Sequence, residues 1–142
     1  MTPELDLLHE TLSQNGLSLT KARLAVFDSL SGREPQTMME IIKKVNGNAD
    51  RASVYRTVSV FERLGVVHRL NMGWKYKLEL NDGFMHHHHH MTCISCGIVI
   101  PLEENHELEE RILELPRVQN FLATDHQLEI RGICSSCQRK TN

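Results

Sequence analysis

Two Cys-x-x-Cys pairs, Cys93/Cys96 and Cys134/Cys137, hold all four cysteines of this 142-residue chain. No other feature constrains the fold as much. Four thiolates from two tight pairs suit a tetrahedral zinc ion with no open coordination position. Two segments separated by 37 residues must then meet at one point. Two redox dithiols or unpaired core thiols are the competing readings. The start, MTPELDLLHE, lacks the basic-then-apolar order of a secretory leader, and no apolar run reaches membrane-spanning length. A cytoplasmic location follows as an expectation; thiols stay reduced there, which favours metal over disulfide.

Five consecutive histidines, residues 86–90, lead into the first pair. Purification tags sit at termini, whereas this run is internal and continues into a strand-like segment. An extended backbone sends successive side chains to opposite faces. His86, His88 and His90 then face one way, and His87 and His89 the other. One run can feed two separate sites, and imidazole is a common ligand for zinc, iron and nickel. His126 on a later strand, and His68 with Glu79 on two arms of a hairpin, are available partners. Glu103, Glu104, Glu107 and Glu109 follow the first pair closely, while His9 and His106 read as surface residues.

The rest of the chain divides near "LNDGF". Leu5, Leu8 and Leu12 share one helical face. Thr20 is placed to cap a second helix with Ala22, Ala25, Val26, Ser29 and Leu30 inward. Thr37 is placed to cap a third, burying Met38, Ile41, Ile42 and Val45, and "NGN" stops it. A fourth begins near Asp50, with Val54, Val58, Phe61 and Leu64 on its apolar face. Two β-prone runs around Asn71-Met72-Gly73 read as a hairpin. Helices closed by a hairpin outline a winged helix-turn-helix. Arg51, Ser53, Tyr55, Arg56 and Thr57 lie off the apolar stripe near the start of the fourth helix, the end that enters the major groove in this motif. Arginine reads guanine edges or phosphates, and tyrosine contacts phosphate or a thymine methyl. The plain alternative is an amphipathic helix with a solvated face.

Beyond the boundary, residues 86–100 read as a strand. Residues 103–115 read as an acidic helix with Leu108, Ile112 and Leu115 inward, stopped by Pro116, and "HQLEIRGI" reads as another strand. Sixty residues make a marginal core, which a metal staple and dimerisation would both support. The fold class is therefore α+β: a winged helix over residues 1–82 and a small α/β domain over 83–142. Net charge is −2. Up to Asp82 there are 11 Lys+Arg against 10 Asp+Glu, and from Gly83 onward 5 against 8, so the first part is the better partner for an anion.

"LTKARLAVFDSL", "ADRASVYRTVSVFERLGVVHRL", "HHHHHMTCISCGIVIPL" and "DHQLEIRGICSSC", in that order, resemble the ferric uptake regulator family of bacterial metal-dependent transcription factors. The resemblance spans roughly residues 10–137. "ASVYRT" and H-x-H-x-x-C-x-x-C are its most specific signatures. It implies a winged helix hinged to an α/β dimerisation domain, and a cytoplasmic homodimer that binds double-stranded, A·T-rich palindromic DNA when loaded with a divalent metal. Such proteins usually repress metal-uptake genes. It further implies Tyr55 and Arg56 as the DNA-contacting pair, with Lys21 and Arg23 near the backbone. Cys93, Cys96, Cys134 and Cys137 match a structural zinc site, one Zn²⁺ per chain. The regulatory site would draw on Glu79, His88, His90 and a carboxylate such as Glu103. An additional site would draw on His87, His89, His126 and Glu107 or Glu109.

Some residues depart from the family pattern. Where iron-sensing members often carry a sensory histidine, this chain has Glu34 and Pro35, and Pro101 replaces a frequent glutamate. His68, eleven residues before Glu79, is placed like the hinge-side ligand of zinc-sensing members, which usually have cysteine at the Glu79 position. A nitrogen-rich regulatory site with one carboxylate favours Zn²⁺ over Fe²⁺, with Ni²⁺ a further candidate. A zinc storage or delivery protein would leave "RASVYRT" and the hairpin unexplained. A metalloenzyme needs an open metal and a general base, and neither H-E-x-x-H nor H-x-E with P-C-x-x-C is present.

Overall fold

The computed structural model describes residues 2–32, 34–72 and 74–140, without the side chain of Met72. The chain divides into two compact units, residues 1–86 and 87–142.

The first unit begins with four helices: α1 (Pro3–Gln14), α2 (Lys21–Leu30), α3 (Met38–Val45) and α4 (Arg51–Arg63). Each starts on a residue whose side-chain oxygen accepts an otherwise unpaired backbone N–H: Thr2, Thr20, Thr37 and Asp50. At α3 the capping is reciprocal, because the Glu40 carboxylate also accepts from the Thr37 backbone N–H at 2.7 Å. Gly65 ends α4 at φ +73°, a left-handed conformation that glycine adopts without strain. The Val66 N–H reaches back to the Phe61 carbonyl at 2.8 Å and closes the turn.

Strands β1 (Val67–Met72) and β2 (Lys75–Leu80) then pair antiparallel, with His68 opposite Glu79. Gly73, expected in the hairpin turn, lies outside the described residues. Gln36 adds a bridge to this pair, exchanging two backbone hydrogen bonds with Leu78 at 2.8 and 2.7 Å. The arrangement is a winged helix, as expected. Its core runs from Leu8 through Val26, Ile41, Val54 and Phe61 to Leu78 and Leu80. Phe84 closes it, packing edge-to-face on Phe27 at 6.1 Å between ring centres.

The second unit holds a three-stranded sheet in the order β4-β3-β5. Strands β3 (His89–Cys93) and β4 (Val99–Leu102) are antiparallel, and β5 (Glu129–Gly132) runs parallel to β3. The single strand expected over residues 86–100 is thus two strands joined by the turn that carries Cys96, and only His89 and His90 of the histidine run lie in regular strand. Helix α5 (His106–Val118) continues past Pro116, expected as its stop. The ring removes one helical hydrogen bond close to the C-terminus, where the loss is small. Leu115, expected inward, is 71% exposed. A last helix, α6 (Ser135–Lys140), follows Cys134.

The two units differ sharply in their cores. Among the described residues, the buried apolar side chains of the second unit are Cys93, Val99 and Cys137. Val118, Phe121 and Leu122 are 80%, 66% and 88% exposed, and every residue of β5 faces solvent. Such a unit lacks the buried surface that holds a small domain together unaided.

Candidate metal centres and nucleic-acid interface

The turn after β3 and the N-terminus of α6 bring the four cysteines together. Their sulfur atoms all lie within 4.8 Å of one another, and Cys96 Sγ is 3.7 Å from Cys134 Sγ. A disulfide needs about 2.05 Å. Ligands at about 2.3 Å from a tetrahedral zinc stand about 3.8 Å apart, so this spacing fits a shared ion. The electrostatics agree. Backbone N–H groups, that of Cys134 foremost at 3.3 Å, lower the Cys93 thiol to about 6. At Cys137 the Ser95 hydroxyl also favours the thiolate, but Cys134, burial and the remaining thiols outweigh it and push the thiol up to about 11. Four thiolates at this spacing would need a cation between them, as a shared zinc ion would supply.

A second cluster forms from His87, His89, Glu109 and His126. His87 Nε2 and His126 Nε2 are 3.1 Å apart, and they lie 3.2 and 2.7 Å from Glu109 Oε2. His89 Nε2 meets Glu109 Oε1. Three imidazole nitrogens and one carboxylate converge at hydrogen-bonding distances, shorter than the ~3.4 Å between ligands of a tetrahedral zinc bound by nitrogen and oxygen, so a small outward adjustment of the side chains would admit an ion. Burial would raise the Glu109 carboxyl, but the hydrogen bond from His89 and the neighbouring imidazoles hold it below the usual carboxylate range. Glu107, named beside Glu109 from the sequence, is outside this cluster. Two helical positions apart means opposite sides of α5, and Glu107 is exposed beside Arg111 at 3.6 Å.

The opposite face of the same run presents His88 and His90, with ring centres 4.6 Å apart. His90 is buried on β3, opposite Pro101. Glu103 is exposed beyond the end of β4. In the first unit, His68 Nε2 stands 2.9 Å from Glu79 Oε1, and His68 Nδ1 meets Asn81 Oδ1. The hydrogen bond to Glu79 is the main reason the His68 ring holds its proton above the ordinary histidine range. Asn81 carried no motif or periodicity, and its contact to His68 arises only when the chain beyond β2 returns to β1.

On α4, Arg51, Tyr55 and Arg56 are exposed, with Tyr55 at 45%, and Ser53 is half-buried beside Arg56 at 3.1 Å. Lys21 is exposed at the start of α2, and Arg23 donates to the Ser18 carbonyl. Thr57, expected among the outward residues, is a correction: it is 5% exposed. It falls one turn after Val54 and one before Phe61, so helical geometry places it on the inner face whatever its polarity. Arg69 and Glu62 form a forked ion pair that ties β1 to the end of α4.

A sequence model of the ferric uptake regulator family matches residues 14–131. The ferric uptake regulation protein of Bacillus subtilis is 32% identical, over 99% of this chain and 98% of its own length. That of Vibrio anguillarum is also 32% identical, over 94% and 93%. Among solved structures, the Vibrio cholerae ferric uptake regulator has a TM-score of 0.69 at 30% identity, covering 89% of this chain and 98% of its own. The Helicobacter pylori regulator, described as having three functional metal-binding sites, has a TM-score of 0.74 at 25% identity, covering 95% and 91%. A zinc-bound manganese uptake regulator has a TM-score of 0.61 at 26% identity, covering 89% and 98%.

Proposed function

The chain belongs to the ferric uptake regulator family of metal-responsive, DNA-binding transcription regulators, which are not enzymes, and on that premise we propose that it is a zinc-favouring repressor of metal-uptake or metal-homeostasis genes. The observation that carries the choice of metal is the donor chemistry. Outside the four thiolates, the chain's candidate ligands are mostly imidazole, with a carboxylate at Glu79 and another at Glu109. Nitrogen-rich sets suit zinc at least as well as iron.

In this reading Cys93, Cys96, Cys134 and Cys137 hold one structural Zn²⁺ per chain. His87, His89, Glu109 and His126 hold an additional ion. The regulatory ion takes His68 and Glu79 from the winged helix and His88 and His90 from the second unit, with Glu103 a further carboxylate. An ion bound by donors from both units favours one arrangement of them, and it shifts the population toward the form that fits its operator. A coupling of ~1–3 kcal/mol changes DNA affinity about 5- to 150-fold.

The second unit's exposed apolar residues and the open edge of β5 support a homodimer, because two copies cover what one leaves in water. Two winged helices then read an A·T-rich palindrome, Tyr55 and Arg56 contacting the major groove and Arg51, Lys21 and Arg23 the backbone. No helix of the described residues is long and apolar enough to cross a membrane, and a regulator of this kind works in the cytoplasm beside the chromosome.

The test is a gel shift on a duplex selected by the protein from a randomised pool, with and without added Zn²⁺. Metal-dependent retardation is expected. Tyr55→Ala should abolish sequence-specific binding, with the dimer and its zinc content intact. Equal retardation of selected and random duplexes, with or without metal, refutes the proposal.

A further inference from the structure

Ser53 stands half-buried in the first turn of α4 and is bonded on two sides. Its backbone N–H donates to Asp50 Oδ1 at 2.7 Å, which makes the cap of the helix. Its hydroxyl accepts from Arg56 Nη2 at 3.1 Å. A guanidinium only donates, so the hydroxyl oxygen is the acceptor here and its own hydrogen points elsewhere. Asp50 takes that hydrogen. The hydroxyl of Ser53, then its backbone N–H, and more weakly the charge of Arg56 hold the Asp50 carboxyl below the usual carboxylate range. Residues 50, 53 and 56 recur every three positions, along one side of a helix. Carboxylate, hydroxyl and guanidinium thus form a line along the start of α4.

This line sets what Arg56 can offer. Immobilising a long side chain on binding costs about 2- to 12-fold in affinity, and a side chain already held in place avoids that cost. The bond to Ser53 engages one of five N–H donors of the guanidinium, and the others can meet guanine O6 and N7. Arg51 makes a contrast. Its Nη2 donates to the Met39 thioether at 3.5 Å, a weak acceptor. Such a loose hold suits a side chain that follows phosphates rather than one that reads a base edge. The helix itself does not call for serine at 53. Alanine is the better helix former, and the cap bond to Asp50 comes from a backbone N–H that alanine also has. What the hydroxyl adds is its hold on Arg56.

We propose that Ser53 is a positioning residue for DNA recognition: its hydroxyl, anchored on the Asp50 cap, holds the Arg56 guanidinium in the pose that reads a base edge in the major groove. The proposal rests on Arg56 being a DNA-contacting residue. Ser53 then acts through Arg56 rather than by touching a base.

The test measures affinities of the zinc-loaded, full-length protein for the selected duplex and for copies of it with each base pair changed in turn. Arg56→Ala marks the base pairs that Arg56 reads. Ser53→Ala should weaken binding to the selected duplex about 2- to 12-fold and relax discrimination at those same base pairs, with the others read as by the wild type. Helix content by circular dichroism and zinc content should stay unchanged. Ser53→Thr keeps the hydroxyl and should restore both affinity and discrimination. In an Arg56→Ala background, Ser53→Ala should have no further effect, because a residue that acts through another loses its effect with it. Wild-type affinity and discrimination in Ser53→Ala overturn the proposal. So does an equal loss with Arg56 present or replaced, which would mean that the hydroxyl touches DNA itself. If Arg56→Ala binds every duplex as the wild type does, Arg56 is not a DNA contact and the role of Ser53 fails with it; Tyr55→Ala tests the wider DNA-binding reading separately.

Discussion

Cys96→Ser separates the two units by what holds them together. Cys96 is exposed, and serine is close to its size, so the substitution leaves the apolar packing untouched and removes one thiolate of four. The first unit is built on many fully buried side chains, each contributing about 1.5–3 kcal/mol. Phe61, Leu8, Leu12 and Ile41 are at 0% exposure. Of the three buried apolar residues among those described in the second unit, two are cysteines of the candidate metal cluster itself. Bound zinc in a four-ligand structural site contributes about 10–16 kcal/mol, far more than Val99 and a few half-buried neighbours supply. Native-state hydrogen exchange read by mass spectrometry, with zinc content measured in parallel, should therefore give a divided result. Cys96→Ser should hold less than one tightly bound zinc per chain and lose amide protection across residues 87–140. Residues 3–86 should keep protection within about threefold of the wild type, because stability effects at separate sites are nearly independent. A second unit that keeps its protection without zinc would refute the reasoning.

Two further substitutions probe other parts of the structure. Glu109→Gln keeps the volume but not the charge among His87, His89 and His126; it should weaken metal binding at that cluster by more than about tenfold, measured by competition with a chromogenic chelator, while the thiolate-bound zinc stays in place. Thr37→Ala breaks the reciprocal cap of α3 and should cost about 1 kcal/mol, which for a unit of this size lowers Tm by about 4–8 °C in a calorimetric scan without altering metal content.

Local physics made much of the first unit legible in the sequence. Thr20 and Thr37 could be read as caps because a side-chain oxygen three residues before an unpaired N–H is a sequence-local fact. Thr57 misled because residue type was weighed above helical spacing, and the inner face of α4 accepts a threonine between Val54 and Phe61. Period-two alternation sorted the histidine run, although residues 86–88 lie outside regular strand; His87 and His89 do meet His126, and His88 meets His90. The choice between Glu107 and Glu109 needed the rotation of α5. Leu115 was legible as apolar but not as exposed, since a periodic stripe says that a side chain avoids water and not which chain covers it. Asn81 was out of reach, for its contacts join residues 13 and 16 positions away in sequence.

The central claim, that one ion drawing on both units controls DNA binding, is tested most directly by measuring the affinity for the selected duplex against buffered free Zn²⁺, and against Fe²⁺ without oxygen. The wild type and a protein carrying His88→Ala and His90→Ala would be compared. The wild type should bind about 5- to 150-fold more tightly once loaded, with zinc acting at lower free concentration than iron. The double variant should keep its thiolate-bound zinc and lose that gain. Metal-stimulated binding that survives both substitutions would contradict the account.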